Sequence, residues 1–307
     1  MVSNSLSTRK VGLTAYLTNE AVKDQITKVV GGKNSTRFTS SIISAVQVNP
    51  ALQECDNASI LSCALQGEAL QLPPSPQLGY YYMVPFNDKK KGIKVAQFIL
   101  SARGYKQLAM RSGQYVDIDC IYVREGEYVG RDKYTGKQKF EFVEDDVERE
   151  KLPVIGYLAY FETKQGFRKQ LYWTKEQVEK HADRYSQAFS LETYNKLKRG
   201  EIPKSDLWKY SSYWYTAFDE MAEKTVIKKL LKDWALLTTE LEQAIESDQA
   251  VIREDGTKEY VELVEAPQSV QKIEDKETDA KPEKVAPEPQ SASTEAKEMD
   301  AQTALFS

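Results

Sequence analysis

Apolar residues recur at helical spacing through the first seventy positions, and the pattern then changes to alternation. Phe38, Ile42, Ile43 and Val46 place an amphipathic helix over Thr36–Gln47, which Asn49-Pro50 ends because the residue before a proline is pushed out of the helical region. Asp56 is an N-cap for a second helix, Ala58–Gln71, with Ile60, Leu61, Ala64, Leu65 and Leu70 on its apolar side. Leu72-Pro73-Pro74-Ser75-Pro76 forbids further helix. Beyond it, Tyr80–Phe86 and Lys94–Leu100 predict an antiparallel hairpin across Asn87–Gly92, and Val116–Val123 alternates as a half-buried strand does. Lys139–Val143 makes a short strand, and Val154–Thr163 pairs with Phe167–Trp173 across Lys164-Gln165-Gly166. Thr174 with Gln177 forms a capping box for a helix from Lys175 to about Tyr185, Ser186–Ser205 reads as loop or lid, and a long helix covers Tyr213–Leu237. The fold class is therefore α+β, with a small, mostly antiparallel sheet of about five or six strands. A helical lead over 1–72 carries subunit contacts, 73–250 forms the core, and 251–307 forms a tail.

The segment Lys94–Tyr115 organises the middle of the chain. Its apolar strand feeds a helix from about Ser101 to Gly113. At about 100° per residue, Arg103, Lys106, Gln107, Met110 and Arg111 share one arc, with Tyr105, Leu108, Ala109 and Ser112 opposite. One side seats on a core and the other presents three cations, so this face is read as the wall of a groove for a nucleic-acid backbone.

Charge supports that reading only once it is divided along the chain. The net charge is −4, but residues 251–307 hold 7 basic against 14 acidic residues, which leaves 35 basic against 32 acidic in 1–250. The acidic stretch has almost no aromatic residues and carries Pro267, Pro282, Pro287 and Pro289, so disorder is expected from about Asp255 onward. Cys55, Cys63 and Cys120 are odd in number and lack paired spacing, which points away from disulfides and zinc and toward a reducing compartment. With no apolar leader or membrane span in the sequence, a cytoplasmic location is expected.

Several chemistries are disfavoured. Gly31-Gly32-Lys33-Asn34 ends like a phosphate loop, but Thr27 stands where the first glycine is required and Asn34 where a magnesium-binding hydroxyl would be. His181 lies on a polar helix without a nucleophile motif nearby. Glu162-Thr163-Lys164 matches half of a magnesium-dependent nuclease site that Asp117 or Asp119 could complete, yet so short a pattern arises often by chance. The pairs Glu125/Glu127 and Glu144/Asp145/Asp146 read as solvated turns.

A sequence-tolerant binder of nucleic acid needs cations along a groove, with aromatics and amides among them. The candidates are Gln97, Arg103, Lys106 and Arg111 in the central stretch, Lys164, Arg168 and Lys169 at the second hairpin, and Lys224, Lys228, Lys229 and Lys232 on the late helix. The sheet would form the groove floor. Tyr80, Tyr105 and Trp173 are read as core aromatics.

Five blocks in order, LGYYYMVPF (78–86), AQFILSARGYKQLAMRSGQY (96–115), VREGE (123–127), GYLAYFETKQGF (156–167) and MAEKTVIKKLL (221–231), resemble the RecT family of phage single-strand annealing proteins. The resemblance implies ATP-independent binding of single-stranded DNA, pairing of complementary strands, and homo-oligomeric rings or filaments. It also implies a small sheet packed on a long helix, a bacterial host cell and a phage or prophage origin. A companion exonuclease and a host single-strand-binding protein are the implied partners. No cofactor is implied, and magnesium enters only as a modulator of annealing. The alternatives are a passive single-strand-binding protein and the nuclease built on Glu162 and Lys164. Two positions depart from the family: Ser101 stands where many relatives have Gly, and Glu223 where many have Lys.

Overall fold

The computed structural model describes residues 12–88, 92–186, 188–253 and 256–260. Helices α1 (Leu13–Leu17), α2 (Glu20–Val30), α3 (Gly32–Val48) and α4 (Asn57–Ala69) come first, followed by β1 (Tyr81–Asp88), β2 (Ile93–Leu100) and α5 (Ala102–Arg111). Then come β3 (Tyr115–Arg124), β4 (Tyr128–Arg131), β5 (Gln138–Phe140), α6 (Asp146–Lys151), β6 (Val154–Thr163) and β7 (Arg168–Thr174). The chain continues with α7 (Lys175–Tyr185), α8 (Leu191–Lys198), α9 (Tyr213–Thr216), α10 (Phe218–Trp234), α11 (Thr239–Ser247), β8 (Ala250–Ile252) and β9 (Lys258–Tyr260). The fold is α+β with antiparallel pairing, as the pattern predicts. It divides into two compact units, one of residues up to Gly104 together with Glu246–Glu259, the other over Tyr105–Ile245.

In the first unit the helical lead and the first hairpin share a core. Helix α4 lies on β2 and buries Ile60, Leu61 and Ala64, while β2 buries Val95, Ala96 and Phe98. The strand's backbone is held as well: the Ala96 N–H donates to Ser59 Oγ at 2.8 Å, and Cys63 Sγ lies 3.3 Å from the Ala96 carbonyl. Asp56 caps α4 through the Ser59 N–H at 3.0 Å. The sheet order is β1-β2-β8-β9, so Ala250–Ile252 and Lys258–Tyr260 belong to a sheet and not to the tail expected from 251. Strand β8 is too short for its periodicity to be visible; it is fixed by β2, where Asp248 accepts the Leu100 N–H at 2.9 Å. The remaining acidic stretch lies outside the described residues.

The second unit holds a separate sheet, β3-β6-β7, and a two-stranded β4-β5. The single sheet of five or six strands is thus corrected to three sheets, because hairpin β1/β2 pairs with β8 rather than with β3. Register places Ile118, Phe161 and Lys169 on one face with Cys120, Ala159 and Leu171, and Tyr122, Tyr157 and Trp173. Asp117, Glu162 and Arg168 share the other face with Asp119, Tyr160 and Gln170. Helix α10 crosses all three strands on the first face, where Asp219 accepts the Tyr157 hydroxyl at 2.5 Å and Glu223 accepts the Tyr122 hydroxyl at 3.1 Å. The β4-β5 ribbon stacks Tyr128 on Tyr172, ring centroids 5.0 Å apart. At Gly156, a Cβ would come within 2.5 Å of that same Tyr172 ring, so only glycine fits beneath it.

Two helical expectations change. The long helix is broken at Ala217, whose φ of −142° and ψ of 57° separate α9 from α10. The expected loop over 186–205 contains α8, because Tyr194 anchors it: its ring stacks on Phe218 at 5.0 Å within a cluster that includes Phe189 and Trp214. Helix α7 follows the sequence reading, with both halves of the capping box formed.

Candidate nucleic-acid interface

The predicted site residues separate into four situations. Gln97 and Arg103 belong to the first unit. Gln97 is buried and donates through Nε2 to the Gln249 carbonyl at 2.6 Å, so it ties β2 to the segment entering β8 and lines no groove. Arg103 is exposed on the first turn of α5, with its guanidinium 5.9 Å from the Tyr80 ring. The start of that helix is tightly fixed. Ser101 Oγ donates to the Gly79 carbonyl at 2.6 Å and accepts the Gly104 N–H at 2.9 Å, which gives Ser101 a capping role. A Cβ at Gly104 would lie 2.1 Å from the Tyr80 carbonyl oxygen, which explains glycine in this block.

Lys106 is engaged within the second unit. Its Nζ lies 2.9 Å from both Asp119 Oδ1 and Glu223 Oε1. Burial by itself would lower the Lys106 pKa, but the two carboxylates outweigh it and hold it above the usual lysine value. One cation meets two carboxylates here, so the cluster repels a phosphate. Around it, burial first and Glu223 second push the Cys120 thiol and the Tyr122 hydroxyl to higher pKa. Glu223 has a structural consequence: an acid on α10 occupies the lysine of α5.

Lys224 is buried, 4% exposed. The lysine stripe assumed that α10 has one core face, but the helix packs on the sheet, on α7 and on α9, and it buries Phe218, Ala222, Val226, Ile227, Leu230 and Leu231 around its circumference. Lys228 and Lys229 are half-buried and Lys232 exposed, with Lys229 3.4 Å from Asp233.

The remaining cations gather at the end and outer edge of the β3-β6-β7 sheet. Lys164 is exposed in the β6–β7 turn, and its backbone N–H donates to the Gln114 carbonyl at 2.8 Å, which joins the hairpin to the segment that follows α5, whose last residue is the exposed Arg111. Arg168 is 75% exposed and makes a surface ion pair with Glu162 at 2.8 Å. Lys169 Nζ sits 3.4 Å from the centre of the Trp234 ring at the end of α10. Two further cations, Lys180 and Arg184, are exposed on α7, which packs against β7 and α10. Their i, i+4 spacing in KEQVEKHADRY was the signal for a second charged helix face.

The sheet does not provide a groove floor. One face is under α10, and the other carries Asp117, Asp119 and Glu162, of which Asp119 is paired with Lys106 and Glu162 with Arg168, so Arg168 at its edge is the cation it offers to a polyanion. On that face, part of which the β4-β5 ribbon covers, Asp117 accepts the Tyr160 hydroxyl at 3.0 Å, and burial followed by Asp117 pushes the Tyr160 pKa up to about 12. Among the described residues, no group of three or more His, Cys, Asp or Glu is placed to hold a metal ion. No described helix is long and apolar enough to cross a membrane.

Glu127 corrects the reading of solvated acidic turns. It is fully buried, and accepts from Arg149 Nε at 2.5 Å and Nη2 at 3.1 Å and from the Arg124 N–H at 2.7 Å. Burial would raise its pKa, but these donors, Arg149 foremost, hold the carboxyl below the usual glutamate range. Asp145, in the other acidic run, caps α6 through the Val147 N–H at 2.9 Å.

The RecT family model matches residues 36–262. The chain is 39% identical over 232 residues to an uncharacterized protein, YqaK, of Bacillus subtilis (strain 168), covering 76% of this chain and 68% of that one. It is 28% identical over 244 residues to Protein RecT of Escherichia coli (strain K12), covering 76% of this chain and 79% of that protein. The match spans most of both units, and the chain belongs to the RecT family of single-strand annealing recombination proteins.

Proposed function

We propose that this protein binds single-stranded DNA and pairs complementary strands without nucleotide hydrolysis, acting as a homo-oligomer. The observation that carries this reading is the family match over 36–262, and the cations at the β7, α7 and α10 edge give it a physical means. Annealing makes and breaks no covalent bond. The protein has only to offset phosphate repulsion, hold one strand with its base edges available, and retain the matched duplex. Arg111, Lys164, Arg168, Lys169, Lys228 and Lys229 hold backbones, and Glu223 leaves Lys106 to an internal role. Magnesium acts on the DNA by screening phosphates. The acidic residues after 260 dock a companion exonuclease or the host single-strand-binding protein.

Complementary labelled oligonucleotides, without ATP and with product sizes checked on a gel, test the reading. Faster pairing than in protein-free solution with intact strands is expected. Coating without acceleration would favour a passive single-strand-binding protein, and shortened strands would favour the nuclease.

A further inference from the structure

Between β7, α7 and α10 lies a cleft of about 370 Å³ lined by Trp173, Gln177, Lys180, His181, Arg184, Tyr185 and Lys229. Three aromatic rings follow one another along it as a faceted wall: Trp173 and His181 have centroids 5.1 Å apart with their planes at 56°, and His181 and Tyr185 4.7 Å apart with their planes at 47°. All three are half-buried and line the cleft. The cations stand around this wall in exchangeable contacts. Lys180 pairs with Glu176 at 2.7 Å and Lys229 with Asp233 at 3.4 Å, both i, i+4 pairs at the surface, and the Arg184 guanidinium lies 5.3 Å from the Tyr185 ring. Such surface pairs give way readily to a phosphate.

We infer that this cleft is a stacking site for one unpaired base of single-stranded DNA, with Lys180, Arg184 and Lys229 on the flanking phosphates. An aromatic wall bordered by cations is the arrangement that sequence-tolerant single-strand binding requires, because every base has a π-face and every nucleotide a phosphate. A base sandwiched between two rings needs about 7 Å of separation, so the base lies against the wall's open side rather than between the rings. Gln177 offers an amide at the rim that can serve any base edge. The inference rests on the annealing reading above and assigns it an anchoring point.

The test is equilibrium binding of the full-length protein to a dye-labelled oligo(dT) and to an abasic strand of equal length, over a series of salt concentrations. Tyr185→Ala and His181→Ala are each expected to weaken oligo(dT) binding about 5-fold or more, with abasic binding and the salt slope unchanged. Tyr185→Phe keeps the ring and is expected to bind like the wild type. Arg184→Gln is expected to weaken both strands and to flatten the salt slope by about 0.7. Melting curves establish that each variant is folded, and the Phe and Ala substitutions at 185 separate loss of the ring from loss of the fold. Unchanged oligo(dT) affinity in both alanine variants, or equal losses on oligo(dT) and abasic strands, would overturn the cleft while leaving annealing intact. A wild type that binds no single strand would overturn both.

Discussion

Arg149 and Arg184 lie in the same unit and do opposite things. Arg149 reaches into a buried carboxylate at 2.5 Å and also donates to the Tyr122 carbonyl at 2.6 Å, so its charge is consumed within the fold. Arg184 stands exposed at the rim of a cleft beside a tyrosine ring. Lys106 resembles the first and Lys180 the second. A cation's value to a polyanion therefore depends on what already faces it, and a count of lysines and arginines along a helix does not reveal this.

The largest effect is expected at the buried pair. Glu127→Ala strands Arg149 and leaves the Arg124 N–H unmatched, and a stability loss on the order of 3 kcal/mol is expected in denaturant unfolding. A folded Glu127→Ala protein should bind single-stranded DNA with wild-type salt dependence. The same site has a pH signature. Its folded pKa lies below that of the unfolded chain, so its contribution is complete above the unfolded glutamate pKa of about 4.3 and is lost as pH falls through the lowered folded value. Acid titration of unfolding stability in wild type and Glu127→Gln checks this: the variant should lose less stability than the wild type between about pH 5 and pH 3.

A smaller effect is expected at Lys106. Lys106→Met removes the cation between Asp119 and Glu223 and should cost about 1–3 kcal/mol in the same assay, since two partly buried carboxylates then face each other. The salt slope of DNA binding should not change; a flatter slope would return Lys106 to the interface. The smallest effect on stability is expected at Arg168. Its pair with Glu162 is on the surface, so Arg168→Gln should leave the melting temperature unchanged while lowering single-strand affinity most at low salt.

The same contrast separates features settled by local sequence from those settled by distant neighbours. Helix α7 and its capping box follow from Thr174 and Gln177 because capping is local chemistry, settled within four residues. The β6–β7 hairpin likewise follows from Lys164-Gln165-Gly166, where Gly166 takes a φ of +82°. Strand β8 did not, because three residues carry no period and its place is set by β2, some 150 positions earlier in the chain. Lys224 was misplaced for a related reason: a helix pattern predicts one buried face, whereas α10 has neighbours on several sides. Glu127 looked like a turn acid until α6 delivered Arg149 to it across 22 positions.

Local periodicity and the order of residues set the α+β class, the family blocks and the supply of cations. Packing in three dimensions set which cations are neutralised internally and which border a cleft. Charge acts through space and falls off steeply in water and salt, so the partner a side chain meets within a few ångströms outweighs its neighbours along the chain. That is why Lys106, central in the sequence, is closed off by two acids, while Trp173, His181 and Tyr185, unremarkable in the sequence, come together as a wall.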